Sequence, residues 1–421
     1  MGVELLNITF VEILKYALYI ILALFVLLIM ITIHEFGHFI VGKKLGFKIN
    51  EFAIGFGKVL LKHTTKDGIL VTLRLVPLGG YCAFEGEDGQ CEVKGAFNTM
   101  APWKRLLVLF SGAFFNFLSA IIMSFILLIS LGYSDVVQVD KIRGENANTN
   151  LVQLQEGDVI LKVGDTKCNF VYDNYFVRLI DNYYPGQDVD LTIKRNGEEK
   201  QITIQRGYKL SSASLSDNVI NYTINGTSYI KITYDDIIKV EDEKSNALTL
   251  SEKTIGEKKF FVFTFNEMSY IIDVSEKEVY TNYIGTELSN YKYSFFEALV
   301  HCVPFTCEWA WKVLIILWQL ITGQLGIENL GGPITTISSI ATYTQANILN
   351  LLILFPLISV NLAVFNWLPF PALDGARMVF VAIEWIRGKP INREVEAKIH
   401  SIGLIVLFAF VIFVDVFHFL F

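Results

Sequence analysis

The sequence predicts an α-helical polytopic membrane protein of about four transmembrane helices, with a membrane-associated β region, an outward-facing β domain and a further β-rich module. Three observations predict it. Hydrophobic residues make up 52% of the chain and charged residues only 18%, against about a quarter charged in a typical soluble domain. Apolar runs recur at Ile13 to Ile40, Leu106 to Leu131, Ile348 to Leu368 and Ile402 to Phe421, each near the ~20 residues that a spanning helix needs. Polar blocks of contrasting charge separate these runs.

Gly42 to Lys104 is rich in lysine and glycine, Ser134 to Lys292 carries an excess of Asp and Glu, and Arg387 to Lys398 is again basic. Basic loops stay in the cytoplasm, so the first and last blocks face inward and the acidic block faces outward. Four alternating spans satisfy that order and put both termini outside. The run Ala298 to Ile321 holds His301, Pro304, Glu308, Lys312 and Gln319, which suits an interfacial amphipathic helix better than a lipid-facing span. The first run lacks a small-x-small cleavage site before His34, so it reads as an uncleaved anchor. A net charge of −7 and the lack of a basic stripe argue against nucleic acid as a partner. Cys82, Cys91, Cys168, Cys302 and Cys307 form no CxxC pair and read as free thiols. Asn7, Asn221 and Asn225 open N-x-S/T triplets, which are too common by chance to carry weight.

Within the acidic block, Asp188 to Gln205 alternates apolar and polar on either side of Asn196-Gly197. That is a hairpin, because a tight primed turn needs positive φ at both central positions. Glu156 to Lys167 predicts another strand, with a helical stretch from Asn169 to Tyr183 between them, so Val136 to Gly207 forms a small β domain. Tyr208 to Val279 keeps alternating and forms a second β-rich module.

The chemistry is carried by "HEFGH" at the end of the first apolar run. His34 and His38 are four residues apart, which places both imidazoles on one helix face within reach of a single Zn²⁺. Glu35 beside them can take a proton from water on the open metal position and deliver it to a leaving amine. A catalytic zinc wants three protein ligands. The remaining histidines, His63, His301, His400 and His418, sit in no metal motif, so a carboxylate should complete the set. The fourth apolar run breaks at Pro369 and Pro371, and Asp374 follows. Broken backbone at membrane depth is tolerated where it lines a cavity or is buried in protein. Locally, Asp374 reads equally well as the cap of a helix starting at Ala376. The ligand count favours the metal.

"HEFGH" together with "NWLPFPALDG" (Asn366 to Gly375) resembles the site-2 protease family of intramembrane zinc metalloproteases, in its bacterial branch with an extracytoplasmic PDZ domain. "GFGK" (Gly55 to Lys58) resembles that family's membrane-dipping hairpin, "PLGGY" (Pro77 to Tyr81) its Gly-Gly-Tyr segment, and "GGPITTISSI" (Gly331 to Ile340) its Gly-Pro-Ile segment. The resemblance implies zinc held by His34, His38 and Asp374, Glu35 as catalytic base, and substrate handling by Asn366, Gly55, Gly57, Gly79 and Gly80. The glycine pairs have a plain alternative in turn chemistry. The implied substrates are single-span membrane proteins already trimmed by another protease, met in the lipid of a bacterial cytoplasmic membrane.

The implied layout runs as a first helix (1–41), a cytoplasmic β region (42–104), a second helix (105–132), a PDZ-like domain (133–207) and a β-rich insertion or degenerate second PDZ (208–293). Interfacial helices (294–345), a third helix with the proline motif (346–386), a cytoplasmic loop (387–400) and a fourth helix (401–421) follow. The PDZ-like stretch lacks a clean Gly-Leu-Gly-Phe loop. A scaffold with a structural zinc would need a fourth protein ligand, which no Cys or His is placed to give. A transporter would show internal repeats, which are absent.

Overall fold

A computed structural model of the chain describes residues 10–420 apart from 88–91, 133–135, 143–152, 169–174, 208, 211, 217, 225–227, 236, 267, 282–285 and 327–329. Asn7, Cys91, Asn225 and the start of the expected 169–183 helix lie outside the described residues. The chain divides into two compact units, 1–129 with 294–421, and 130–293.

The first unit contains α1 (Phe10–Leu45), β1 (Ile49–Thr64), β2 (Leu70–Phe84), α2 (Pro102–Ser130), α3 (Phe295–Ile321), α4 (Pro333–Ala346), α5 (Leu351–Trp367), α6 (Asp374–Arg387) and α7 (Arg393–Leu420). Among the described residues five helices are long and apolar enough to cross a membrane, the four expected spans and one more. The additional one is α3, the least apolar of the five, whose polar groups prompted the interfacial reading. Helix α7 starts eight residues before the expected boundary at 401, because Asn392 caps it by accepting from the Glu394 N–H at 2.9 Å.

Apolar side chains turned outward are ordinary for helices solvated by lipid, and Ile402, Ile405, Phe408 and Ile412 on α7 are all exposed. Beside aromatic contacts such as Phe110 on Trp367, small and polar residues join helices to one another, as membrane packing favours. Thr306 on α3 donates to Ser124 on α2 at 3.0 Å, and both are buried. Arg105 at the start of α2 pairs with Glu384 near the end of α6, and both are about 5% exposed. Glu384 also accepts from the Ile391 N–H at 3.0 Å. The pair therefore ties α2 to the end of the helix that begins at Asp374.

Strands β1 and β2 form a two-stranded antiparallel ribbon. Ile54 lies opposite Gly80, yet Glu51 to Ile54 also lie opposite Leu70 to Leu73. The ribbon thus doubles back between Gly55 and Val59, where its register is irregular. Its base packs Phe47, Ile49, Phe52, Cys82 and Phe84 against Val108, Leu109 and Val381, which seats β2 beside α1, α2 and α6.

In the second unit, β3 (Val137–Ile142), β4 (Val159–Val163), β5 (Thr166–Lys167), β6 (Asp188–Arg195) and β7 (Glu198–Gln205) build a sheet over the short helix Phe176–Ile180. The β6–β7 turn has φ of 53° at Asn196 and 86° at Gly197, and Arg195 pairs with Glu198. This is the tight primed turn expected from Asn-Gly. The sheet is completed by β16 (Thr286–Asn290), which pairs with β3. The β domain is therefore not one continuous stretch ending at 207.

Between β7 and β16 lie two four-stranded antiparallel meanders, β8 to β11 (Ser212–Ser216 to Ile238–Asp242) and β12 to β15 (Ser251–Ile255 to Glu278–Thr281). They share one core, in which Ile220, Tyr222, Ile230 and Ile232 of the first meet Phe263, Tyr270, Ile272 and Val279 of the second. Period-2 alternation along each strand supplies these inward faces.

Candidate metal centre

His34 and His38 sit about three and two turns from the end of α1, whose last turn carries the basic Lys43 and Lys44. Helix α2 comes unusually close to them. A β-carbon on Gly37 would stand 2.5 Å from Ser111 O, and one on Gly112 would stand 2.3 Å from His38 Nε2. Only glycine at both positions allows that approach. His38 Nδ1 donates to Val108 O at 2.8 Å.

The third member comes from the far end of the chain. Helix α5 stops at Trp367, as Pro369 requires of its predecessors. The loop runs through Pro371 to Ala372, whose φ is +88°, a left-handed conformation costing a non-glycine residue about 1–3 kcal/mol. Helix α6 then begins at Asp374 itself, two residues earlier than Ala376. A β-carbon on Gly375 would stand 2.2 Å from Leu368 O, so the loop folds tightly against the helix that follows it.

Asp374 Oδ2 lies 3.0 Å from His34 Nε2 and 3.2 Å from His38 Nε2, and the two Nε2 atoms are 3.1 Å apart. Donor atoms about 2.0–2.1 Å from a tetrahedral zinc stand about 3.3 Å from one another, which matches this spacing. Proton accounting points the same way. A carbonyl only accepts, so His38 carries its proton on Nδ1, and in the neutral ring the Nε2 lone pair faces a second imidazole and a carboxylate. A divalent cation satisfies such a cluster, and the backbone carbonyl fixes the tautomer. Both histidines are nearly buried, at 9% and 7% exposure. Among the described residues these three form the one His/Cys/Asp/Glu group with metal-ligand spacing.

Glu35, His34, His38 and Asp374 line one cavity of about 480 Å³. Strand β2 forms another wall through Tyr81 to Phe84, and α6 contributes Arg377, which pairs with Glu87. The Tyr81 hydroxyl donates to Glu51 at 2.8 Å. Burial raises the pKa of Glu51, but hydrogen bonds from Thr72, Arg74 and Tyr81 outweigh it and hold the carboxyl below its usual range. Glu51 is thus an anionic anchor for the Tyr81 ring. Cys82 also borders the cavity, and burial, with Glu35 and Glu87 nearby, pushes its thiol pKa up. A protonated thiol is a poor metal ligand, and Cys82 is not part of the metal-spaced group.

The expected substrate-handling residues are placed differently. Gly80 adjoins Glu35, since a β-carbon there would lie 3.5 Å from Glu35 Cγ. Gly55 (φ +85°) and Gly57 (φ +83°) lie where the ribbon doubles back, and the Phe56 ring fills the space that a side chain on Gly79 would need. These glycines therefore have a conformational reason of their own. Asn366 donates its amide to Leu362 O at 2.8 Å within its own helix and does not line the cavity. Sequence reasoning passed over Val108, Gly112 and Arg377, whereas Tyr81 lies in the Pro77 to Tyr81 segment that it singled out. Arg377 had a usable signal, being one helical turn after Asp374.

A polytopic membrane chain with two helical histidines, the glutamate between them and a distant aspartate around one cavity has the make-up of a membrane metallopeptidase. A family model described as peptidase family M50 matches residues 22–410, and the chain belongs to that family. It is similar to the zinc metalloprotease RasP of Oceanobacillus iheyensis, at 25% identity over 92% of this chain and 95% of the relative. It is also similar to the regulator of sigma E protease of Haemophilus influenzae, at 24% identity over 91% of this chain and 95% of the relative. The protein is a zinc metalloprotease.

Proposed function

We propose that this zinc metalloprotease hydrolyses peptide bonds within or near the transmembrane segments of single-span membrane proteins. The observation that carries the reading is the position of the metal-spaced triad. Two of its members lie on a helix apolar enough to span the membrane, and the third lies at the break after another.

His34, His38 and Asp374 hold the zinc. When bound there, the ion supplies a Lewis acid for the scissile carbonyl and acidifies water. Glu35 takes the proton of the attacking water and passes it to the departing amine. A substrate helix satisfies its own backbone, so it must unwind before its carbonyl can be reached. The β1–β2 ribbon beside Glu35 offers Gly79, Gly80 and Tyr81, whose backbone can pair with an unwound strand by β-augmentation. Gly55 and Gly57 let the ribbon fold back so that this edge reaches the cavity. Asn366 borders the break before Asp374 and, once released from Leu362 O, can hydrogen-bond the substrate backbone.

The site faces the cytoplasm of a bacterium, because Lys43 and Lys44 follow the histidines directly and Arg387 to Lys398 follows α6. Helix α4 supports this orientation. It meets Tyr16 early in α1 at 3.3 Å and Asp415 late in α7, where the Thr335 hydroxyl donates at 2.8 Å. Those ends of α1 and α7 are remote from His34 and from the basic loop. Helix α5 then runs inward to Asp374, and α3 does not complete an unreturned crossing. The domain of β3 to β7 and β16 is PDZ-like and extracytoplasmic, and with the meanders between β7 and β16 it admits substrates already trimmed by another protease.

The rival reading, a scaffold with structural zinc, requires a closed site, and no fourth ligand joins the triad among the described residues. The test is to incubate the full chain in lipid vesicles with a single-span substrate and map the products by mass spectrometry. Cuts inside the apolar segment are expected. Cuts confined to soluble flanks, equally efficient on a substrate without that segment, contradict the proposal.

A further inference from the structure

The loop that delivers Asp374 is held from outside by α7. The Ala372 N–H donates to His400 Nδ1 at 3.0 Å, and Ala372 is the loop residue with left-handed φ. One turn further along α7, a β-carbon on Gly403 would stand 2.3 Å from Pro371 Cβ and 2.7 Å from Pro371 O. One face of α7 thus touches the loop at two consecutive residues, three and two positions before Asp374, on which the next helix opens.

The direction of the hydrogen bond sets the state of the ring. An N–H donor requires a lone pair at Nδ1, so the ring proton sits on Nε2. That Nε2 has no hydrogen-bond partner among the described residues. The ring borders a second cavity of about 280 Å³, also lined by Ala372 and Arg377, which the catalytic cavity shares. The other evident contact of the ring is Phe380, at 5.5 Å between centroids.

We propose that His400 is a positioning residue for the third zinc ligand: by accepting the Ala372 N–H it holds the left-handed turn that aims the Asp374 carboxylate at His34 and His38. The inference rests on Asp374 being a ligand. A left-handed alanine is unfavourable by itself and persists where its surroundings over-determine it. Without the acceptor the loop relaxes, α6 starts at a different angle, and the carboxylate oxygen leaves the triad.

A ring that only fills space against Phe380 makes a different prediction, so two substitutions separate the readings. His400→Phe keeps a ring and removes the acceptor. His400→Asn removes the ring and keeps an oxygen near the place of Nδ1. The measurement is transfer of zinc from the purified full-length protein to a competing chelator, which needs no substrate. Outer-shell partners of metal ligands are typically worth about 10–100-fold in affinity. His400→Phe is therefore expected to weaken zinc retention about 10–100-fold, and His400→Asn to stay within about threefold of the parent. Parent-like retention by His400→Phe overturns the proposal, as does equal loss in both variants. Should His400→Phe fail to accumulate, His400→Asn decides by the same criterion, retention supporting the proposal and loss overturning it. Failure of the underlying ligand assignment looks different, because Asp374→Ala would then keep its zinc.

Discussion

Glu35→Gln is expected to lower proteolysis by about 10²–10⁴-fold, the usual contribution of a positioned general acid–base, while the zinc content stays that of the parent. The amide nearly matches the carboxylate in size and cannot take a proton from water. Glu35 lines the cavity and is not one of the three metal-spaced residues, so its loss leaves the ion's holders intact. Cleavage of a single-span substrate and metal analysis on the same preparation check both halves. Activity near the parental level in Glu35→Gln contradicts the assignment of Glu35 as the proton carrier. Loss of zinc along with activity makes Glu35 a structural member of the site instead.

The second large effect is expected at a residue that touches no proton. In the interior of a helix, Gly→Ala ordinarily stabilises by about 1 kcal/mol. Gly112→Ala should do the opposite. Its methyl would stand 2.3 Å from His38 Nε2, 2.6 Å from His38 Cε1 and 2.8 Å from His34 Cε1. Helix α2 cannot accommodate it without moving, because His38 is also anchored to Val108 O on that helix and Gly37 is already tight against Ser111. Overpacking of this kind costs about 1–3 kcal/mol. Here both imidazoles must turn away from Asp374, so zinc affinity should fall at least about tenfold, as for other losses of ligand orientation. Thermal unfolding and chelator competition check the two effects. A Gly112→Ala protein with a raised Tm and undiminished zinc contradicts the packing described for α1 and α2.

Features with a local cause were legible in the sequence. His34, Glu35 and His38 could be read because helix periodicity alone places residues four apart on one face. Asp374 could be read because two prolines break an apolar run and a zinc site lacked a third ligand. Asn196-Gly197 announced its hairpin because the turn needs positive φ at both positions.

Features set by distant partners were not legible. Strand β16 joins the sheet across the whole of the two meanders, and five residues of Thr-Glu-Leu-Ser-Asn carry no sign of that pairing. Val108 acts through its carbonyl, which every residue possesses. His400 is a lone histidine in an apolar helix, and its use depends on a loop twenty-eight positions earlier. The glycines of β1 and β2 were visible as glycines, yet spacing alone could not separate contact with a substrate from a ribbon that must fold back on itself. The polar groups of α3 pointed to an interfacial helix, but its length and composition also qualify it to span.

A single ion is expected to join the end of α1 to the start of α6. The zinc content of Asp374→Ala, measured by elemental analysis on protein purified beside the parent and Glu35→Gln, tests that junction. About one zinc per chain is expected in the parent and in Glu35→Gln, as a mononuclear catalytic site holds, with a large loss in Asp374→Ala. A full equivalent of zinc in Asp374→Ala, held as tightly as in the parent, contradicts that junction.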